Sequence, residues 1–526
     1  MKSLLFLIAQ LATVNAYCKL LTTHCPRPGD FNCLCGPVYV CQHADEYPPL
    51  RRPSDSMLYV HEREFQRFFQ QRTYNCIRLN VDVCQPTIDN NNNSNITTVV
   101  PPSQDDFYTV PQNISNLPPG TILRSRKAPS PLAVSDMDYA AETYQLLYTT
   151  TDEDNSNTAT VATLLIPKNA NRSTLVSFQT AVHTVTIDCA PSFSFLNASK
   201  AYPLLDSPTS QVQLLFVQAA LSRGFNVVVP DFGGPNATIL KDRLPEHAVL
   251  DGVRASLNSG LVDKNATAAL WGYSGGGTTT FRAVQAQPEY APELRIAGAA
   301  IGGAPIYMNP LDKLRALIVN KSPYAGFIPI LIHMYAAIRP EFQDVVDEML
   351  KPEYRESFDL PLHQCTDGNF NFFSNLDVLS WFRNTSFLDI TPTPDESTKL
   401  KVPSDIPIYW YHATADLLAN FYDTSYRLDG YCSDGASITQ LINTGRDLSH
   451  TSFAIVGASG ALKWLADRFD GVVQDKGCSK KATTSMELDD EFLALFTDDI
   501  RQNLAATLYK GRMDLLAARR TFRIPE

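Results

Sequence analysis

Past residue 16 the sequence has no run approaching the ~18 consecutive apolar residues that a membrane-crossing helix needs. A stable membrane anchor is therefore not expected. It also has no basic tract: 44 Lys and Arg stand against 55 Asp and Glu, a formal net charge of −11. Nucleic-acid backbones are gripped by clustered cations, so this balance argues against a nucleic-acid partner. No internal repeat is visible, which sets aside repeat architectures. Cysteine is scarce beyond residue 84, where only Cys189, Cys365, Cys432 and Cys478 occur, whereas Cys18, Cys25, Cys33, Cys35, Cys41, Cys76 and Cys84 crowd the beginning. Usage of this kind belongs to an oxidising compartment. The early group is odd in number, so it leaves a free thiol or a bridge out of the region. His24 and His43 sit among these cysteines, but disulfides fit that compartment better than a zinc site.

What is present first is an N-terminal pattern of charge, apolar run and small residues, Met1-Lys2-Ser3, Leu4 to Ala9 and Val14-Asn15-Ala16. It predicts a signal peptide over 1–16 and an extracellular destination, and losing Lys2 takes the charge from −11 to −12. Glycosylation sequons at Asn92, Asn95, Asn113, Asn171, Asn197, Asn236, Asn265 and Asn384 fit that route. Asn320 also begins a sequon, but a proline follows it and makes it the weakest. Residues 17–84 predict a disulfide-stapled module with few strands and one helix at about 60–72, marked by Phe65, Phe68 and Phe69. Residues 85–105, rich in Asn, Pro and Ser, predict a linker.

From 106 to 526, strand-like and helix-like segments alternate, which favours an α/β fold around a mostly parallel sheet. Strands are expected at about 143–149, 160–166, 174–178, 226–229, 268–272, 297–302, 407–411 and 437–442. Helices are expected at about 212–222, 246–257, 278–286 and 453–468. Between about 305 and 402 the rhythm breaks into helical segments without a clear strand, which reads as a helical cap insertion or an ordinary helical subdomain.

The centre of the pattern is Ala269-Leu270-Trp271-Gly272-Tyr273-Ser274-Gly275-Gly276-Gly277, an apolar strand running into a glycine-walled turn that carries one serine. A serine on so sharp a turn tolerates only small neighbours two residues away, hence Gly272-x-Ser274-x-Gly276. The Gly275 amide then faces the spot where an oxyanion develops. The pentapeptide alone arises by composition too readily to settle the matter. In an α/β-hydrolase the serine is followed by an acid and then a histidine. Of nine histidines, His333, His363, His412 and His450 follow Ser274; the first two fall in the insertion and His412 precedes the acid. His450 comes after the last strand and opens a helix. The acid expected past strand 407–411 is Asp416, with Asp423, Asp429 and Asp447 as competitors better read as loop or helix charges. Ser274 would attack an acyl carbon, His450 would relay the proton, and Asp416 would fix the imidazole tautomer.

With these partners the chain resembles the fungal secretory lipases of the lipase A type from about Asp106 onward. The resemblance is carried by 107–111, 120–127, Asp188-Cys189-Ala190-Pro191-Ser192, Leu250-Asp251-Gly252-Val253-Arg254, 272–276, 290–294, Tyr411-His412-Ala413 with Asp416, and Ser449-His450. It implies a secreted α/β-hydrolase that cleaves triacylglycerols and related esters at a lipid interface under a helical cap, with no metal or organic cofactor. It also implies a Ser274-Asp416-His450 triad and disulfides Cys189–Cys365 and Cys432–Cys478. One departure stands out. Where the family carries an acidic pair whose Asp lines the oxyanion hole, this chain has Val182 and His183. A neutral imidazole can still donate one N–H, so His183 is expected to line the site beside Gly275, the alternative being a surface loop histidine. The resemblance does not reach the cysteine-rich module. The expected activity is triacylglycerol hydrolysis; the alternatives are a short-chain carboxylesterase, a serine peptidase, or a secreted binding protein with weakened catalysis.

Overall fold

The computed structural model describes 33–43, 58–61 and 74–86 as backbone strands, together with 99–134, 139–241, 243–306, 313–389, 401–445, 448–474, 476–484, 490–496 and 501. The expected signal peptide and the sequons at Asn92 and Asn95 lie outside these residues. The chain divides into two units, 1–98 and 99–526.

In the first unit, β1 (Cys33–His43) pairs antiparallel with both β2 (Leu58–His61) and β3 (Tyr74–Pro86). This corrects the expected helix at 60–72, whose first two residues close β2; 62–72 lie outside the described residues. The strand signal was present in Ile77, Leu79, Val81 and Val83, which alternate with Arg78, Asn80 and Asp82 at the period of two that a pleated strand imposes. Register sets Cys35 opposite Cys84 and Cys41 opposite Cys76.

The second unit begins inside the expected linker. Ser103 donates from its amide and hydroxyl to Asp188, at 2.7 and 2.9 Å, and Asp105 pairs with Arg126 at 2.6 Å. A polar segment fixed by such partners is not a free tether, so the linker expected over 85–105 is too long at both ends, β3 also reaching Pro86.

A ten-stranded sheet organises this unit, in the order β13-β12-β11-β10-β9-β7-β8-β6-β5-β4. Its strands are β4 (Ile122–Lys127), β5 (Ala140–Thr151), β6 (Asn157–Pro167), β7 (Asn171–Gln179), β8 (Phe225–Pro230), β9 (Thr267–Tyr273), β10 (Ile296–Gly302), β11 (Ile408–Ala413), β12 (Ile438–Asn443) and β13 (Ser479–Thr483). Pairings among β7 to β13 are parallel, and those joining β4, β5, β6 and β8 are antiparallel. Central strands read as continuous apolar runs because both sheet faces are covered. Along β9, Ala269, Trp271 and Tyr273 enter one core with α1 (Leu214–Ser222) and α9 (His450–Phe469), while Ala268 and Leu270 enter the other with α2 (Leu244–Asn258) and α3 (Ser274–Tyr290). The edge strands β4 and β13 had no counterpart in the sequence reading. They are short and mostly polar, β4 half-buried and β13 largely exposed, so they carry little apolar periodicity.

Between β10 and β11 the described residues form helices joined by turns, with no strand of the sheet; the helices include α4 (Lys313–Val319), α5 (Phe327–Ile338), α6 (Pro340–Met349) and α7 (Thr366–Phe373). They build their own apolar cluster around Ile328, Ile332, Phe342, Phe358 and Trp381. Disulfides join Cys189 to Cys365, tying the insertion to the sheet's loop 180–190, and Cys432 at the end of α8 (Phe421–Ser433) to Cys478. At the C-terminal end Phe492 and Phe496 are buried in the α1/α9 core.

Candidate active site

β9 delivers the chain to Ser274, which stands at φ 54°, a left-handed conformation unusual for a side-chain-bearing residue. Neighbouring glycines make the turn feasible. A side-chain carbon on Gly272 would meet the Gly276 carbonyl oxygen at 2.4 Å, and one on Gly276 would meet the Gln179 carbonyl oxygen at 2.0 Å. Ser274 is also the first residue of α3, so the amides of that helix end beside it.

Ser274 Oγ lies 2.8 Å from His450 Nε2, and His450 Nδ1 lies 2.7 Å from Asp416 Oδ2. His450 is placed by a helix start: Ser449 caps α9 by accepting from the Ser452 amide, and the Tyr273 hydroxyl donates to the His450 carbonyl at 2.7 Å. Asp416 follows β11 on a tight turn, and its Oδ1 accepts from the Leu418 and Ala419 amides, both at 2.9 Å. Burial alone would raise this carboxyl, but the opposing His450 charge and the imidazole hydrogen bonds win and hold it well below the usual carboxylate range. The group is therefore ionised at neutral pH, accepts the Nδ1 proton, and leaves Nε2 free to accept from Ser274.

The remaining sequence-selected residues separate cleanly. His333 bonds the Phe358 carbonyl inside the insertion and His363 is exposed. Asp423 pairs with Arg427 and Asp429 with Lys480; Asp447 lies outside the described residues. His183 does reach the site. A side-chain carbon on Gly275 would sit 3.3 Å from His183 Nε2, so that nitrogen looks onto the helix end beside Ser274. Its ring retains slight solvent contact through the cavity, yet protein encloses it; this burial, and secondarily the nearby His450, push the imidazolium down to about 4. Neighbouring Val182 turns the other way, into the core under α2. Gln213 clamps the loop through the Ala181 amide and carbonyl, and Thr366 of α7 donates to the His183 carbonyl at 3.0 Å.

Above Ser274 lies a cavity of about 80 Å³. Its polar groups come from His183, Ser274 and His450; its apolar walls come from the insertion, through Val319, Phe327 and Leu331, and from the Asp416 turn, through Leu417 and Leu418. The wall residues escaped the sequence reading because an apolar residue lining a cavity looks like any core residue. Among the described residues no group of three or more His, Cys, Asp or Glu is arranged to hold a metal, and no helix is long and apolar enough to cross a membrane. The exposed sequons include Asn113, Asn171, Asn197, Asn236, Asn265 and Asn384, whereas Asn320 is buried and donates to Asp377.

Residues 202–477 match the family described as secretory lipase. Lipase A of Arthroderma benhamiae is 34% identical over 423 residues, covering 78% of this chain and 88% of that protein. The secreted triacylglycerol lipase LIP2 of Malassezia furfur is 30% identical over 382 residues, covering 70% and 79%. Among solved structures, lipase A of Candida antarctica in its closed state superposes with a TM-score of 0.65 at 25% identity, covering 78% of this chain and 95% of that one. The sheet order, its helical layers and this superposition are those of an α/β-hydrolase, and the family match with the two fungal relatives shows that the chain belongs to the secretory lipase family of ester hydrolases.

Proposed function

We propose that this protein is an extracellular triacylglycerol lipase working through a Ser274-His450-Asp416 acyl-enzyme mechanism. The observation that carries the reading is the continuous Ser274, His450 and Asp416 hydrogen-bond chain at the floor of an apolar cavity. Ser274 Oγ attacks the ester carbon as its proton passes to His450 Nε2, and Asp416 stabilises the imidazolium. The carbonyl electrons move onto oxygen, which faces the Gly275 amide and His183 Nε2. On collapse the alcohol leaves with the proton from Nε2, and water repeats the cycle on the acyl-enzyme. The depressed His183 proton affinity supports a neutral imidazole with one N–H to give. In that role it takes the place of the carboxyl found in the family.

Cavity size favours a second reading, a short-chain carboxylesterase. The space of about 80 Å³ is small beside the roughly 300 to 1,000 Å³ of sites enclosing a large ligand, so a long acyl chain requires the insertion to move. Hydrolysis of an emulsified glyceride series from tributyrin to triolein, with soluble short-chain esters alongside, separates the two. A lipase retains turnover on triolein, whereas an esterase loses it. A fluorophosphonate probe tests the nucleophile, with adduct expected on Ser274 and none in Ser274→Ala. Failure to label folded wild-type protein would instead favour the catalytically weakened binding protein.

A further inference from the structure

His412 is excluded as the general base by chain order, yet it is 1% exposed and lies four residues before the acid. Its ring nitrogens are both occupied. The Trp410 indole N–H points at Nδ1 from 3.5 Å, and indole only donates, so Nδ1 accepts and the proton sits on Nε2. That proton meets the Ala419 carbonyl at 3.0 Å, and Asp416 Oδ2 lies 3.4 Å from the same nitrogen. Oδ2 therefore has two imidazoles against it, His450 on the reactive side and His412 behind, while Oδ1 takes the two amides of the same turn. Phe421 packs edge-on against the His412 ring at 5.7 Å. The turn so held carries Leu417, Leu418 and Ala419 into the cavity wall.

Building on the triad reading above, we propose that His412 is a positioning residue for the same reaction: its Nε2 proton bridges the Asp416 carboxylate and the Ala419 carbonyl, locking acid and cavity wall into one rigid turn. A buried histidine needing only satisfaction would have that from Ala419 alone; the carboxylate contact ties it to chemistry. The hydrogen bonds to Asp416, including the His412 contact, work in the same direction by favouring its ionised form.

The test uses the full-length protein and a soluble butyrate ester. His412→Phe keeps ring shape without the proton, and His412→Gln restores an amide N–H. Loss of the clamp is expected to lower kcat by roughly 10- to 100-fold with KM within about threefold, since the contact acts on the alignment of the acid and not on the ester. It also moves the acid limb of kcat to lower pH, because a misaligned carboxylate stabilises the His450 imidazolium less. Titratable groups facing His450 are Asp416, His183 and Tyr273; Tyr273, raised well above 10 by burial, stays silent across that range. His412→Gln should recover most of the rate and the wild-type limb. A His412→Phe protein with kcat within twofold of wild type and an unmoved limb overturns the proposal. Should that variant fail to fold, His412→Asn, whose amide is one methylene shorter, replaces it against His412→Gln, and equal rates and limbs for the two overturn it. Ser274→Ala runs alongside: retained activity there removes the triad itself, whereas an inactive Ser274→Ala beside a normal His412→Phe removes only the role of His412.

Discussion

Ser274 stands between two histidines that are held in different ways. His450 is fixed by the sheet and its connections: a capped helix start, a tyrosine from β9, and a carboxylate clamped by its own turn. His183 has its backbone tied by Gln213 and Thr366, while its imidazole packs edge-on against Phe327 of α5, ring centroids 4.9 Å apart. Thr366 and Phe327 both belong to the insertion. In the proposed mechanism the proton-relay side is thus built by the sheet, whereas the oxyanion side leans also on the helices above it.

The sharpest way to break this comparison is to damage each side separately. Asp416→Asn, which disturbs the tautomer of His450, is expected to lower kcat about 10⁴-fold on every ester. His183→Ala, which removes one donor while Gly275 remains, should cost roughly 100- to 1,000-fold. Rates in steady state check both, and an unchanged rate in His183→Ala would remove the imidazole from the site. Next in size is Phe327→Ala. Freed of its edge contact, His183 loses orientation, and kcat should fall about 10-fold with the acid limb unmoved. A shifted limb would mean that the insertion also reaches the relay side.

A separate effect concerns stability in acid. An unfolded histidine titrates near 6.5, whereas folded His183 titrates at about 4, so the folded state binds fewer protons between these values. Stability is therefore present above about pH 6.5 and is lost as pH falls through that window, by on the order of 3 kcal/mol. Thermal midpoints of wild type and His183→Gln, measured between pH 7 and 4, should diverge, with the variant falling less. His247, also lowered to about 4 by burial, is common to both proteins and cancels.

The parts of the site legible in the sequence were those constrained by covalent order. Gly272-x-Ser274-x-Gly276 encodes a steric demand, and Asp416 and His450 follow at successive strand ends in the order the fold imposes. The central strands were legible for a related reason, since burial on both faces leaves little but apolar residues. What escaped was whatever depends on a neighbour distant in sequence. β4 and β13, polar at the sheet edges, are strands because a partner supplies their hydrogen bonds. In the N-terminal unit the Phe65, Phe68 and Phe69 spacing mimics one face of a helix, while the alternation at 77–83 is that of a strand. His412 failed the order test for a base, and order says nothing about a residue that acts on the acid from behind.

The two disulfides have a further consequence for a protein released among peptidases. Cys189–Cys365 closes a covalent ring of the chain that contains Ser274, and Cys432–Cys478 closes a second that contains His450. A cut anywhere within either ring, the α4 to α6 helices included, leaves the protein in one covalent piece with that catalytic group still attached on both sides of the nick. Asp416 and His412 lie between the rings, in the stretch 366–431, where a single cut would part Ser274 covalently from His450, the nucleophile and base of the proposed mechanism. A nick along that stretch should accordingly cost more activity than one inside either ring.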